Sequence, residues 1–383
     1  MSGRRPALLV AHRNALLASG GGGVQVCCRE YAAALREAGF DLTEVAFDHA
    51  AGFADRLLRR AFPKVSNVRT PPGLAARIEG ALDASGARHV FFALNAFPDV
   101  SRRLRAAHPG VTQVFLSQGL ESVDFCIEQR LRRRDGTENR PRARAERMLG
   151  RQLLDEARER GALDAVLTLS PIEADLERWL GARDVLWVPR TLVEAPLAAR
   201  PVDGRVGCVS TLDHPPNRDG LERLFEALAD LPPGFRFRLV GGPRPSGERV
   251  AARHGFVDYL GPLDDGALRA EAATWCCFAH PLFVQAKGCS TKLAAPLAWG
   301  LPIATTPMGA RGYVWDRGAA PLAESPAAMA RDVIAASSAA RFAEGSARTR
   351  RIADGTPRLP EVAAAIRAFL DGLDARAARE AKP

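Results

Sequence analysis

The chain has 383 residues, 47% of them hydrophobic, enough for two ordinary domains of about 100 to 200 residues and too many for one core. Lys and Arg outnumber Asp and Glu by 53 to 44, a net charge of +9 that suits a phosphate-bearing partner or an anionic membrane surface. Nucleic acid is disfavoured, because the Arg-rich run from Arg130 to Arg147 has no interleaved aromatics on which bases would stack. Seven cysteines without C-x-x-C spacing argue against a metal or disulfide framework, so no metal and no bound cofactor are expected. No stretch approaches the roughly 20 apolar residues of a membrane span, and the first apolar run is too short for a signal peptide. A reducing cytoplasm is the expected compartment. Peripheral attachment to the inner face of a membrane through basic residues stays open, as does the oligomeric state.

Ala7 to Ala11 reads as a buried strand followed by His12. Four glycines, Gly20 to Gly23, then lead into a helix with Val24, Cys28, Tyr31, Leu35 and Ala38 on its apolar face. Gly39 stops that helix and Leu42 to Phe47 supplies the next strand, so the chain opens in the manner of a parallel sheet. Further strands are expected at His89–Leu94, Gln113–Leu116 and Ala165–Leu169, the last after a charged helix from about Ala143 to Arg160. Ser117 to Asp124 reads as a loop at the sheet's carboxyl edge, where Glu121, Asp124 and His12 are the available proton acceptors.

Periodicity fails between Arg190 and Gly204, which contains Pro196 and Pro201 and reads as an interdomain linker. A second α/β unit follows, with strands at Val206–Val209, Phe235–Val240, Val257–Leu260, Cys276–Ala279 and Leu301–Thr305. Helices are expected near Arg218–Asp230, Asp264–Ala273, Leu293–Trp299 and Glu361–Leu373. Trp275, Trp299 and Trp315 read as core rather than as a sugar platform.

Gly288 to Gly312, GCSTKLAAPLAWGLPIATTPMGARG, holds the densest chemistry. Ser290 and Thr291 are suited to cap a helix whose N–H groups face an anion, and Lys292 adds a full positive charge there. Gly300 fits the helix stop, and Leu301 to Thr305 reads as a strand entering the turn around Arg311. Pro296 falls beyond the first turn if Thr291 is the cap, which predicts a bent or late-starting helix. Upstream, His280 and Lys287 follow a strand, Lys287 pairing with Lys292 to neutralise a diphosphate. His214 and Arg218 are placed toward a cleft, and Asn217 reads first as an N-cap. Gly22 and Gly23 would let backbone N–H groups approach a ligand.

Lys292 through Thr305, KLAAPLAWGLPIAT, resembles without a gap the lysine-containing helix and strand of the glycosyl transferases group 1 family. Gly20 to Gly23 with Gln25 resembles its GG-x-Q loop, and His214 to Asn217 its H-x-P-N segment. The resemblance implies a GT-B-like α/β fold of two Rossmann-like domains whose parallel sheets face across a cleft. Residues 1–198 would form the acceptor-side domain and 199–360 the nucleotide-sugar domain, with 361–383 a helix and tail returning to the first. It implies a glycosyltransferase acting on a nucleotide-sugar donor and a glycan, glycolipid or glycoprotein acceptor, metal-independent and retaining. The donor would meet Gly22, Gly23, His214, Arg218, Lys287, Ser290, Thr291, Lys292 and Arg311. The reacting groups would lie near His12, Glu121, Asp124 and His280. The sequence departs from the family at its paired glutamates, whose positions hold Lys287 and Ala295. A catalytically degenerate binding or scaffold protein, and a nucleotide-sugar epimerase, are the alternative readings.

Overall fold

The computed structural model describes residues 4–16, 22–48, 70–316, 318 and 320–380. Among these, two parallel sheets account for the strands. The first, in the order β2-β1-β3-β4-β5-β6, comprises β1 (Arg5–His12), β2 (Phe40–Phe47), β3 (His89–Ala93), β4 (Thr112–Leu116), β5 (Ala165–Thr168) and β6 (Asp184–Trp187). Its helices are α1 (Gly23–Glu37), α2 (Leu74–Ser85), α3 (Pro98–Ala107), α4 (Glu121–Arg134), α5 (Arg142–Gly161) and α6 (Pro171–Trp179).

The second sheet, in the order β11-β10-β7-β8-β9, comprises β7 (Arg205–Val209), β8 (Arg236–Val240), β9 (Val257–Gly261), β10 (Cys277–His280) and β11 (Ile303–Thr305). Around it stand α7 (Pro215–Ala227), α8 (Arg244–Arg253), α9 (Asp265–Ala272), α10 (Ala294–Trp299), α11 (Pro326–Ala336) and α12 (Phe342–Asp354). The chain closes with α13 (Leu359–Glu380). Among the described residues no helix is long and apolar enough to cross a membrane.

Alternation along the strands explains the layers. Leu9, Phe91 and Val114 point to the face covered by α1 and α13, while Leu8, Val90 and Phe115 point to the face covered by α2 and α3. Both faces are buried, so the strands read as continuous apolar runs. In the second domain Phe237 and Leu239 pack under α7 and α11, and Trp275, Phe278 and Leu297 fill the opposite face. The tryptophan at 275 is core, fully buried with its indole N–H on Glu271.

The helix α13 lies on the first domain: Val362, Ile366 and Leu370 join its core, and Arg367 donates to the carbonyl of Ala38. Residues 190–201 carry no regular secondary structure. The structure adds elements that the sequence reading lacked. Glu121 and Asp124 begin helix α4 rather than lying in a loop, and the Arg-rich run that follows is the end of that helix and the start of α5. Acidic residues in the first turn of α4 and Arg132 to Arg134 in its last match its dipole. The edge strand β6 is short and only half-buried, too faint in apolar pattern to be read. Val24, placed on the apolar face of α1, is exposed, and Cys27 is buried in its stead.

Ile366 is fully buried between α13 and the first sheet. Ile366→Ala is expected to cost about 2–5 kcal/mol by leaving a cavity. Urea unfolding followed by circular dichroism reads this as a lowered midpoint. An unchanged midpoint would mean that α13 does not hold the first domain.

Candidate functional site

The carboxyl ends of both sheets meet around one cavity of about 620 Å³, within the range of ligand sites. Of the residues singled out from the sequence, His12, Gly23, Glu121, Asp124, His214, His280, Lys287, Ser290, Thr291, Lys292 and Arg311 line it. Gly22 and Arg218 do not. Gly22 is the extended N-cap of α1, and Arg218 on α7 is turned to Asp135 at 3.5 Å and Glu222 at 3.9 Å. Gly20 and Gly21 lie outside the described residues.

The second-domain wall is built from the loop between β10 and α10. His280, at the end of β10, is buried and shares a 2.8 Å hydrogen bond from Nε2 with the hydroxyl of Ser290. Burial, with Lys292 and Arg311 nearby, pushes the His280 pKa well below the ordinary histidine range, so its ring is neutral. Ser290 therefore serves this histidine and does not cap a helix. A 3-10 turn at Thr291–Leu293 follows, and α10 begins only at Ala294. The late start places Pro296 third in α10, where its missing N–H costs nothing, and Gly300 in left-handed conformation ends the helix.

Lys292 Nζ donates to Asn217 Oδ1 at 3.0 Å, and the Asn217 amide donates to the carbonyl of Thr211 at 2.9 Å. The Asn217 side chain thus steers a lysine, and the expected capping role falls away. Burial lowers the Lys292 pKa to about 8, with Arg311 adding repulsion. Arg311 spends its planar fork on backbone, donating to the carbonyls of Gly288 at 2.9 Å, Met308 at 2.7 Å and Lys287 at 2.9 Å. It shapes the loop from behind and leaves its charge beside the cavity.

From the first domain come Glu121, paired with Lys287, and Asp124, 3.8 Å from His214. Burial opposes the charge of Lys287, but Glu121 outweighs it and the lysine pKa is raised. His12 accepts the Asn14 N–H at Nδ1, 3.2 Å away, which leaves Nε2 as the protonated nitrogen of the neutral ring.

The domains touch where Gly119, after β4, meets Gly288. Both have positive φ, +101° and +67°. A Cβ at Gly119 would stand 2.2 Å from the Gly288 nitrogen, and one at Gly288 would stand 2.6 Å from the Gln118 carbonyl oxygen. The Gly288 N–H donates to Glu173, whose carboxyl burial pushes up to about 7. Beside this contact Cys289 packs against the core cluster that holds Cys27 of α1. Arg190, from the segment between the domains, places Nη1 3.4 Å from Cys289 Sγ. Cys27 and Arg190 together hold Cys289 below the ordinary thiol range against burial, while Cys27 is pushed up.

A sequence profile of the glycosyl transferases group 1 family matches residues 203–338, the stretch from β7 to α11. Residues 203–338 are similar to the glycosyl transferases group 1 family. Its fold is similar to that of the Thermobaculum terrenum O-GlcNAc transferase (TM-score 0.55, 14% identity, 98% of this chain and 69% of that one). It is similar as well to the lipopolysaccharide outer core galactosyltransferase WaaB (TM-score 0.55, 12% identity, 96% and 99%). A third similar structure is the pneumococcal O-GlcNAc transferase GtfA in complex with UDP and GlcNAc (TM-score 0.51, 12% identity, 78% and 60%). No curated protein matches the sequence. The chain is a glycosyltransferase of the two-domain GT-B fold.

Within this glycosyltransferase the carboxylates missing at 287 and 295 have neighbours from the other domain. Glu121 reaches Lys287 and Glu173 reaches Gly288. Glu173 was legible only as part of a helix start: Ser170 accepts its N–H in the capping pattern Ser-x-x-Glu, but the glutamate carboxylate reaches across to Gly288. Arg190 and the Cys27–Cys289 pair carried no local signal, since each is defined by a partner over 90 residues away.

Two outcomes are expected. Gly119→Ala pushes the domains apart at Gly288, so small-angle scattering is expected to report a larger radius of gyration; an unchanged radius would mean that the loop yields instead. Iodoacetamide at pH 7 is expected to label Cys289 before the half-buried Cys126, and Arg190→Met to slow that labelling, as peptide mapping would record. Earlier labelling of Cys126 would remove the thiolate assignment.

Proposed function

We propose that the chain transfers a sugar from a nucleoside diphosphate sugar to an acceptor hydroxyl held in the cleft, without a metal ion and with retention of configuration. One observation carries the donor half. Lys292 is a cation whose charge burial already disfavours, whose hydrogen-bond partner is the neutral Asn217, and which shares its cavity with Arg311 and Lys287. A buried cation without a carboxylate is costly unless an anion joins it. A diphosphate supplies that anion. UDP is the first nucleotide to consider, since GtfA was solved with UDP.

In the reaction the bond from the sugar's anomeric carbon to the diphosphate oxygen breaks, and a bond to the acceptor oxygen forms. Lys292, Lys287 and Arg311 favour the charge that develops on the leaving diphosphate, and they stand in place before the reaction begins. The neutral His280 keeps Ser290 turned toward the loop. Under retention the departing phosphate takes the acceptor's proton. Were configuration inverted, Glu121, Asp124 or His12 on the opposite wall would have to take it. The family's paired glutamates, replaced by Lys287 and Ala295, favour the second reading of a protein that binds nucleotide without transferring sugar.

Calorimetric titration with UDP, GDP, ADP and dTDP tests the donor site. One nucleotide is expected to bind, and Lys292→Ala to weaken it about tenfold to a hundredfold, the worth of a charge-assisted hydrogen bond. Binding is expected to weaken as pH rises through about 8, where free Lys292 loses its proton. Glu121→Gln is expected to tighten binding about two- to fivefold by freeing Lys287 from an internal anion. No binding to any of the four would sink the donor site, and binding without turnover of the matching sugar nucleotide would favour the second reading.

A further inference from the structure

The cavity is electrically divided. Its second-domain wall carries Lys287, Lys292 and Arg311, whereas its first-domain end runs in along α5, lined by Phe115, Gln152, Asp155, Glu156, Glu159 and Arg160. The single buried cation of that arm is spent. Arg160 bonds both oxygens of Glu177 and one of Glu159, and its guanidinium covers the face of Phe115 at 4.5 Å. Asp155 turns toward two exposed arginines, Arg151 at 3.6 Å and Arg158 at 3.4 Å. Burial raises the pKa of Glu156 and takes that of Glu159 to about 8, with neighbouring carboxylates adding to it, so the arm holds more carboxylates than its one buried cation can serve.

Unpaired polar atoms give a second, independent observation. Gln152 is only 6% exposed, yet among the described residues neither its amide nitrogen nor its amide oxygen has a hydrogen-bond partner. Glu156, 8% exposed, accepts the Ser122 N–H on one oxygen at 3.1 Å and, among the described residues, has no partner on the other. Interior amides and carboxylates are paired as a rule, because an unmet group keeps its full desolvation cost. Both residues line the cavity. A pocket that disfavours negative charge on its own carboxyls disfavours it on a ligand as well, so what pairs with Gln152 and Glu156 carries N–H or O–H groups and no negative charge.

We infer that this arm is an acceptor subsite for the hydroxyl- or ammonium-bearing end of a sugar that is not anionic there. Its assignment to the acceptor rests on the transfer reading above, which gives the donor to the opposite wall. The consequence runs against the net charge of the chain: a uronic acid or a phosphorylated sugar would be repelled from this arm although the protein is basic overall. The shared chemistry, donated hydrogen bonds to Gln152 and Glu156, leaves two sources that experiment separates, a neutral polyol and an amino sugar.

Saturation-transfer NMR on the full chain, with glucose, glucosamine and glucuronate at equal concentration and UDP present, tests the inference. Glucose or glucosamine is expected to give saturation transfer, with glucuronate about tenfold weaker. Preference for glucosamine marks an ammonium arm and parity marks a hydroxyl arm. Gln152→Leu and, more conservatively, Glu156→Gln are each expected to weaken the bound sugar about tenfold, the loss of one buried hydrogen bond, while UDP titration stays within about twofold. That unchanged titration also shows that the variants fold. Glucuronate binding as well as glucose, or no sugar binding while UDP binds, would overturn the subsite. If UDP fails to bind but glucose still does, the donor reading falls and the arm stands.

Discussion

The cleft depends on two backbones that come closer than side chains allow. Gly119 and Gly288 face each other with positive φ, and a Cβ on either would stand 2.2 or 2.6 Å from backbone atoms of the other domain. This approach lets Glu173, anchored on α6 of the first domain, accept the Gly288 N–H of the second. On the far side Arg311 fixes the carbonyls of Lys287 and Gly288. The peptide between Lys287 and Gly288 is therefore held at its N–H by Glu173 of one domain and at its carbonyl by Arg311 of the other. Lys287 then projects to Glu121, and Cys289 to Arg190. Helix α4 extends the contact at its other end, where Arg134 pairs with Asp219 of α7.

Charge within the cleft matters more than the net charge of the chain. An excess of +9 spread over the surface is screened within about 8 Å at physiological salt, whereas groups lining a cavity are screened far less. The pKa directions follow burial first and the like charges on each wall second. Lys292 is lowered by burial, with Arg311 adding to it on the second-domain side, and Glu159 is raised by burial, with Glu156, Asp155 and Glu177 adding to it on the first-domain side against Arg160. Where the walls touch, Lys287 meets Glu121 and the lysine is raised. One interdomain pair cannot relieve both sides. A ligand that is anionic at one end and rich in hydrogen-bond donors at the other would.

Much of this was legible before the structure. Apolar runs located β1, β3, β4 and β5, because strands buried on both faces keep no polar alternation, and glycines 39 and 300 marked the helix ends they form. Most site positions in the second domain were legible too, since Lys287, Ser290, Lys292 and Arg311 fall in one contiguous stretch of sequence. The roles were less so. Asn217 has the chemistry of a cap and the position of a lysine partner, a difference fixed by where Lys292 lies, 75 residues later. Arg218 follows His214 by four residues in the sequence but is drawn off by Asp135 of the other domain. The first-domain carboxylates on α5 looked like any charged helix face, because nothing local marks which side of a charged helix lines a cavity.

The short helix after the loop decides which force would hold an anion. The sequence suggested a capped helix offering its dipole, yet Pro296 and the 3-10 turn leave α10 with six residues, from Ala294 to Trp299. A full helix dipole contributes about 0.3–1 kcal/mol near its end, and a helix of under two turns has less of it to offer. A charge-assisted hydrogen bond from a buried ammonium is worth about 1.5–3 kcal/mol. Lys292 therefore outweighs the helix whose start it occupies. The resemblance in this segment, which preserves the lysine while a proline shortens the helix behind it, preserves the stronger of the two contributions.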